Sequence, residues 1–213
     1  MSDSTVPLDS LVAWLARFAE FVTEQRAYLT ELDSAIGDAD HGANMARGMT
    51  AVMEKLDGAT PGAADELFKT VGMTLVTSVG GASGPLYGTF FLRMGMTAGP
   101  VTDFDGPALG TALRAGLEGV VARGKAEAGD KTMFDAMAPA LDAYDDAISD
   151  GRTVPQAAAA AATAAETGRD ATEPLVARKG RASYLGERSA GHLDPGATST
   201  ALLFQALAET LAG

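Results

Sequence analysis

The chain has 213 residues, 46% of them hydrophobic and only 6% aromatic, with a formal net charge of −12 and no cysteine. That length and apolar content suit one folded domain and exclude a disordered chain. The missing cysteines exclude disulfide and thiolate chemistry, and the acidity argues against a general nucleic-acid binder, which needs a basic surface. No stretch reaches about 18 uninterrupted apolar residues, so no membrane span is expected. The opening MSDSTVPLDS has no basic segment followed by an apolar run, which leads to the expectation of a cytoplasmic protein.

Helical periodicity runs along almost the whole chain. Leu8, Leu11, Val12, Leu15, Phe18, Ala19 and Val22 follow i, i+3, i+4, i+7 spacing, predicting a first helix over about 8–30. Further helices are predicted at 43–57, 63–78, from Pro85 through Met94, and at 106–123, 131–149, 153–170 and 197–212. Asp130 and Thr153 are placed as N-caps, and Gly151 as a helix stop. Val71–Val79 could be read as a strand, but Gly72 and the surrounding periodicity favour a helix. The expectation is all-α, with eight helices, no sheet, short antiparallel connections and a single domain over 1–213.

Asp33, Asp38 and Asp40 fall within eight residues, and Gly37 and Gly42 bracket the last two. Carboxylates gathered at one point repel unless a cation lies among them. The segment therefore reads as a site for a hard divalent cation, most simply Mg²⁺, and the alternative is a solvated acidic turn. An EF-hand is excluded: counted from Asp38, its required glycine falls on Ala43 and its closing glutamate on Met49. Magnesium held by few carboxylates usually binds phosphate as well, which directs attention to anion sites.

Gly80, Gly81 and Gly84 surround Ala82 and Ser83 just before Pro85, where free amides and a helix dipole would accept phosphate. The loop is neither a Walker A motif nor a GxGxxG turn after a strand. Close packing of helices through small residues is the competing reading, strongest for Gly88. A second helix start, Asp194-Pro195-Gly196, offers an aspartate that could cap the helix, pair with Arg181 or accept from a ligand. In the loop Arg123–Met133, Gly124 allows a turn and Met133 either joins the core or covers a flat base. The long segment 178–196 carries Arg178, Lys179, Arg181 and Arg188, out of only 16 basic residues, and reads as a cationic lid over an anion or as a solvated connector.

Taken together, IGDADHGANM, SVGGASGPLYGTFF, RGKAEAGDKTM, GRASYLGERS and GHLDPGATS resemble, in order and over nearly the whole chain, the nucleotide-binding subunit family of bacterial dihydroxyacetone kinases. The resemblance implies an eight-helix antiparallel up-and-down barrel with a nucleotide at one end. It implies ADP or ATP held through two Mg²⁺ ions on Asp33, Asp38 and Asp40. Nucleotide contacts would fall on His41, Gly42, Ala43, Asn44, Ala82 and Ser83, and on Gly124, Met133, Arg181, Asp194, Pro195 and Gly196. It implies two partners, a K-type subunit that holds dihydroxyacetone covalently on a histidine and an M-type phosphocarrier subunit that rephosphorylates ADP in place. No protein nucleophile is expected on this chain, and Arg181 would close over the nucleotide. A homodimer is compatible with this reading. Two alternatives share the same nucleotide half: an ATP-dependent kinase for another small ketose or an acyl substrate, and a nucleotide-sensing module.

Overall fold

The computed structural model describes residues 5–59 and 61–212; the first four residues of the opening segment lie outside them. Among the described residues it contains nine α-helices, a 3₁₀ segment and a two-stranded ladder. The helices are α1 (Leu8–Glu24), α2 (Arg26–Ile36), α3 (His41–Gly58), α4 (Ala64–Ser78), α5 (Ser83–Ala98), α6 (Gly106–Gly124), α7 (Phe134–Ser149), α8 (Val154–Ala171) and α9 (Pro195–Leu211). Eight of them close a ring: α1 packs on α3, each of α3 to α8 packs on its successor, and α9 returns to α1. Helix α2 sits across one end of the ring against α1, α3 and α9. The all-α expectation holds. Among the described residues, no helix is long and apolar enough to cross a membrane.

Three expectations need correction. The first helix does not run to residue 30. It breaks at Gln25 (φ −95°, ψ 14°), because α1 buries Trp14, Leu15, Phe18 and Val22 in the ring whereas α2 must turn to bury Leu29, Asp33 and Ile36 at its end. A minimal sheet exists: β1 (Thr5–Pro7) pairs antiparallel with β2 (Asp103–Asp105), burying Val6 opposite Phe104. Three-residue strands are too short for alternation to show in a sequence. Asp130 does not cap α7, which starts at Phe134; its carboxylate accepts the Glu127 N–H at 2.9 Å, and Asp135 instead accepts from Gly129 and Thr132. Thr153 does cap α8, in a reciprocal box with Gln156, and Gly151 follows α7 with φ +76°.

The core combines a few aromatics with many small residues. Trp14 is fully buried, donates its indole N–H to the Leu203 carbonyl of α9 at 2.9 Å, and meets Phe68 edge-on. Helix α8 buries Ala157, Ala158, Ala161 and Ala165 between α7 and α9. Helices α4 and α5 approach through Gly72 and Gly88, where a Cβ on Gly88 would stand 2.8 Å from the Gly72 carbonyl and one on Gly72 would stand 2.7 Å from the Gly88 carbonyl. Gly88 is thus a packing residue. We expect Gly88→Ala to force the helices apart and cost roughly 1–3 kcal/mol in denaturant unfolding, as overpacked cores do; unchanged stability would contradict this contact.

Candidate functional site

The site forms where α2, α3, α5 and α9 meet at one end of the ring. Asp33 lies in the last turn of α2 and is only 8% exposed. Its Oδ2 accepts the backbone N–H groups of Asp40 (2.8 Å) and His41 (3.0 Å), so one carboxylate fixes the loop that carries the other two. Gly37 is required at this bend, because a Cβ there would fall 2.0 Å from Asp33 Oδ1. Ala39, between Asp38 and Asp40, is held at φ +61°. Asp33, Asp38 and Asp40 each present one oxygen, all within 4.8 Å of one another. Among the described residues, the only cation paired with them is the largely exposed Arg181, whose Nε lies 3.1 Å from Asp38 Oδ2. Asp194 is not its partner.

Facing the carboxylates is the start of α5. The helix begins at Ser83, two residues before Pro85, with Ala82 at the cap position and no side-chain cap, so its first amides are free for an anion. Gly81 takes φ +67° in the preceding turn. A buried chain of hydrogen bonds supports Ser83. Its Oγ lies 3.1 Å from His41 Nδ1, His41 Nε2 lies 2.9 Å from Ser199 Oγ, and Ser199 Oγ lies 2.8 Å from the Tyr87 hydroxyl. Burial pushes His41 down to about 4, against the pull of Asp33 and Asp40, so the imidazole is neutral and joins one donor to one acceptor. With Ser199 donating to the Gly196 carbonyl at 3.1 Å, Nε2–H donates to Ser199 and Nδ1 accepts from Ser83. Burial also pushes Tyr87 up to about 12.

Helix α9 supplies the third wall. Asp194 caps it by accepting the Ala197 N–H at 2.7 Å, with Pro195 in the first turn. Burial raises Asp194 to about 7; the charges of Asp135 and Asp33 add to the rise, and the Ala197 N–H and Lys131 oppose it. Together these walls enclose a cavity of about 300 Å³. It is lined by the three aspartates, His41, Ala82 and Ser83, by Gly124, Met133 and Arg181, and by Asp194, Pro195 and Gly196. Leu86, Val120 and Ala126 give it an apolar flank beside Met133, which is both buried and on the wall.

Gly42, Ala43 and Asn44 do not line the cavity. Gly42 is pressed against α2, where a Cβ would meet the Arg26 carbonyl at 2.1 Å. Ala43 faces a separate shallow hollow with Thr30 and Glu31. Asn44 accepts from Arg47 Nη2 at 2.6 Å, and Gly80 of the glycine loop packs over its side chain. Sequence reasoning missed Ser199, Tyr87 and Lys131. All three sit in motifs already singled out, but Tyr87 and Ser199 also lie inside helical patterns, and nothing in the sequence shows that Lys131, at φ +63°, turns inward.

The donor set suits Mg²⁺. It is all carboxylate oxygen, Asp33 Oδ1 is left over by the backbone contacts of Oδ2, and of the three carboxylates Arg181 pairs with Asp38.

The DAK2 domain model matches residues 35–209. The chain belongs to the DAK2 domain family. This DAK2 domain is 47% identical over 202 residues to the ADP-binding subunit DhaL of the PEP-dependent dihydroxyacetone kinase of Escherichia coli, covering 93% of this chain and 94% of that protein. It is also 47% identical over 206 residues to the ADP-binding subunit DhaL of the PTS-dependent dihydroxyacetone kinase of Lactococcus lactis, covering 96% and 98%. Among solved structures it resembles the dihydroxyacetone kinase of C. freundii in complex with AMP-PNP and Mg²⁺, with a TM-score of 0.72 and 28% identity over 93% of this chain. The DAK2 domain spans about a third of the length of that kinase, 33%.

Asp194 makes the stability of this DAK2 domain pH-dependent. A carboxyl raised from 3.8 to about 7 on folding stabilises the fold fully below 3.8, and the benefit is lost as pH rises through 7. We expect the stability difference between wild type and Asp194→Asn to shift against wild type by ~1.4 kcal/mol per pH unit over this window, then level off. A flat difference in urea unfolding across the window would contradict a buried, raised Asp194.

Proposed function

We propose that this chain is, over 1–213, a single nucleotide-binding domain that serves as the ADP-binding subunit of a multi-subunit dihydroxyacetone kinase. The observation that carries the reading is the meeting of three carboxylates with the uncapped start of α5 across one cavity. Its near full-length identity to two ADP-binding subunits supports the same reading.

Asp33, Asp38 and Asp40 are the residues that would hold two Mg²⁺ ions. Bound Mg²⁺ supplies charge neutralisation and alignment of phosphate oxygens. The amides at Ser83 would receive terminal phosphate oxygens, while its hydroxyl, whose proton goes to the neutral His41, fixes the start of α5 without adding a charge. The apolar flank of Leu86, Val120 and Met133 accommodates the base and keeps water from it. Arg181, exposed and paired to Asp38, would exchange that carboxylate for phosphate and steady charge during transfer. Positioning and charge suffice for phosphoryl transfer, so this chain needs no nucleophile.

The sugar is then held on a K-type partner subunit, and ADP is rephosphorylated in place by an M-type phosphocarrier subunit. Purified protein should carry ADP in mass analysis. Asp38→Ala and Asp40→Ala should keep their helical circular dichroism while nucleotide affinity falls roughly 100-fold or more, beyond the 10–100-fold typical of groups that only support a metal ligand. Wild-type nucleotide content in either variant would count against the metal-bridged site. In a reconstituted mixture, dihydroxyacetone phosphorylation should require phosphoenolpyruvate and the phosphocarrier; equal rates with free ATP alone would reassign the donor.

A further inference from the structure

Lys131 lies along the cavity beside Met133 and offsets the rise of Asp194, yet its residue is 1% exposed. Its ammonium reaches four backbone carbonyls: His192 at 2.5 Å, Ser189 at 2.8 Å, Leu175 at 3.0 Å and Glu173 at 3.3 Å. Two of these belong to the start of the connection between α8 and α9, and two to its end. Around the ammonium the connection is tied to itself. Gly191 N–H donates to the Glu173 carbonyl (2.7 Å), Ala177 N–H to Ser189 Oγ (2.8 Å) and Asp194 N–H to the buried Thr172 hydroxyl (3.0 Å). This strap holds Arg181 at its outer edge and delivers Asp194 to the cap of α9. Lys131 itself is held at φ +63°, a conformation disfavoured for a residue with a Cβ.

We propose that Lys131 is a positioning residue whose ammonium serves as a built-in monovalent cation, fastening the two ends of the strap so that Arg181 and Asp194 are set at the nucleotide cavity. Four carbonyl dipoles aimed at one point repel without a positive charge among them. A cage of backbone carbonyls is how proteins replace the hydration shell of potassium, an ion close in size to ammonium. A neutral side chain in this place would leave buried acceptors unpaired. Desolvation lowers Lys131 from its ordinary value, and Asp194 and Glu173 oppose this. The role at the cavity rests on the kinase reading; the fastening of the strap does not.

The test is therefore made first on nucleotide-free protein. In Lys131→Ala, amide exchange at Ala177, Gly191 and Asp194 should quicken about tenfold or more, while α1 and α5 keep wild-type protection. Ammonium chloride should restore protection in Lys131→Ala, choline chloride at equal ionic strength should not, and Lys131→Met, with its space filled, should respond to neither. Nucleotide affinity should fall with strap protection and return with ammonium. Wild-type exchange in Lys131→Ala, equal restoration by choline, or loss of protection spread evenly through α1 and α5 would overturn the proposal. Restored protection without restored affinity would overturn the link to the cavity.

Discussion

The structure depends on repulsion among three carboxylates whose oxygens lie within 4.8 Å of one another. Like charges this close repel, and the more so the less water lies between them. Arg181 reaches only Asp38. Much of the surrounding architecture holds this cluster together. The break at Gln25 turns Asp33 inward, its Oδ2 anchors the backbone of Asp40 and His41, and Gly37 leaves room for Oδ1. The carboxylate that does most to bind the loop is also part of the cluster, so the loop and the cluster form together.

Strain is concentrated at the same end of the ring. The non-glycine residues with positive φ are Ala39, Lys125 and Lys131 among the described residues, one in the aspartate loop and two in the loop after α6. Such conformations persist where surrounding contacts over-determine them. Asp33 does so for Ala39, and the four carbonyls do so for Lys131. The opposite end of the ring holds the small ladder and ordinary helix caps such as Asp105 and Thr153. A ring packed through small residues thus supports a strained rim, where the candidate site lies.

Most of the helical ring was legible in the sequence, because periodic apolar residues and the Thr153 and Asp194 caps are local signals. The break at Gln25 was not, since the apolar pattern continues through it and only the direction of burial changes. The start of α7 was misplaced because Asp130 looks like a cap, whereas it binds the Glu127 N–H within its own loop and α7 begins at Phe134 with no side-chain cap. In the site, aspartate and glycine spacing located the carboxylate cluster and the α5 start. Gly42 and Asn44 lie in the same motif yet serve packing and loop support, a distinction that spacing cannot make. The Ser83–His41–Ser199–Tyr87 chain joins residues far apart in sequence, and nothing in α9 marks Ser199 as polar contact rather than helix filler.

Manganese binding read by electron paramagnetic resonance tests the carboxylate cluster most directly, because Mn²⁺ accepts the same oxygen ligands as Mg²⁺. With ADP present, two Mn²⁺ ions should bind per chain and be displaced by Mg²⁺, and Asp33→Ala should release both. Manganese that fails to bind with ADP, or that binds equally well without Asp33, would contradict the central role given to the three aspartates.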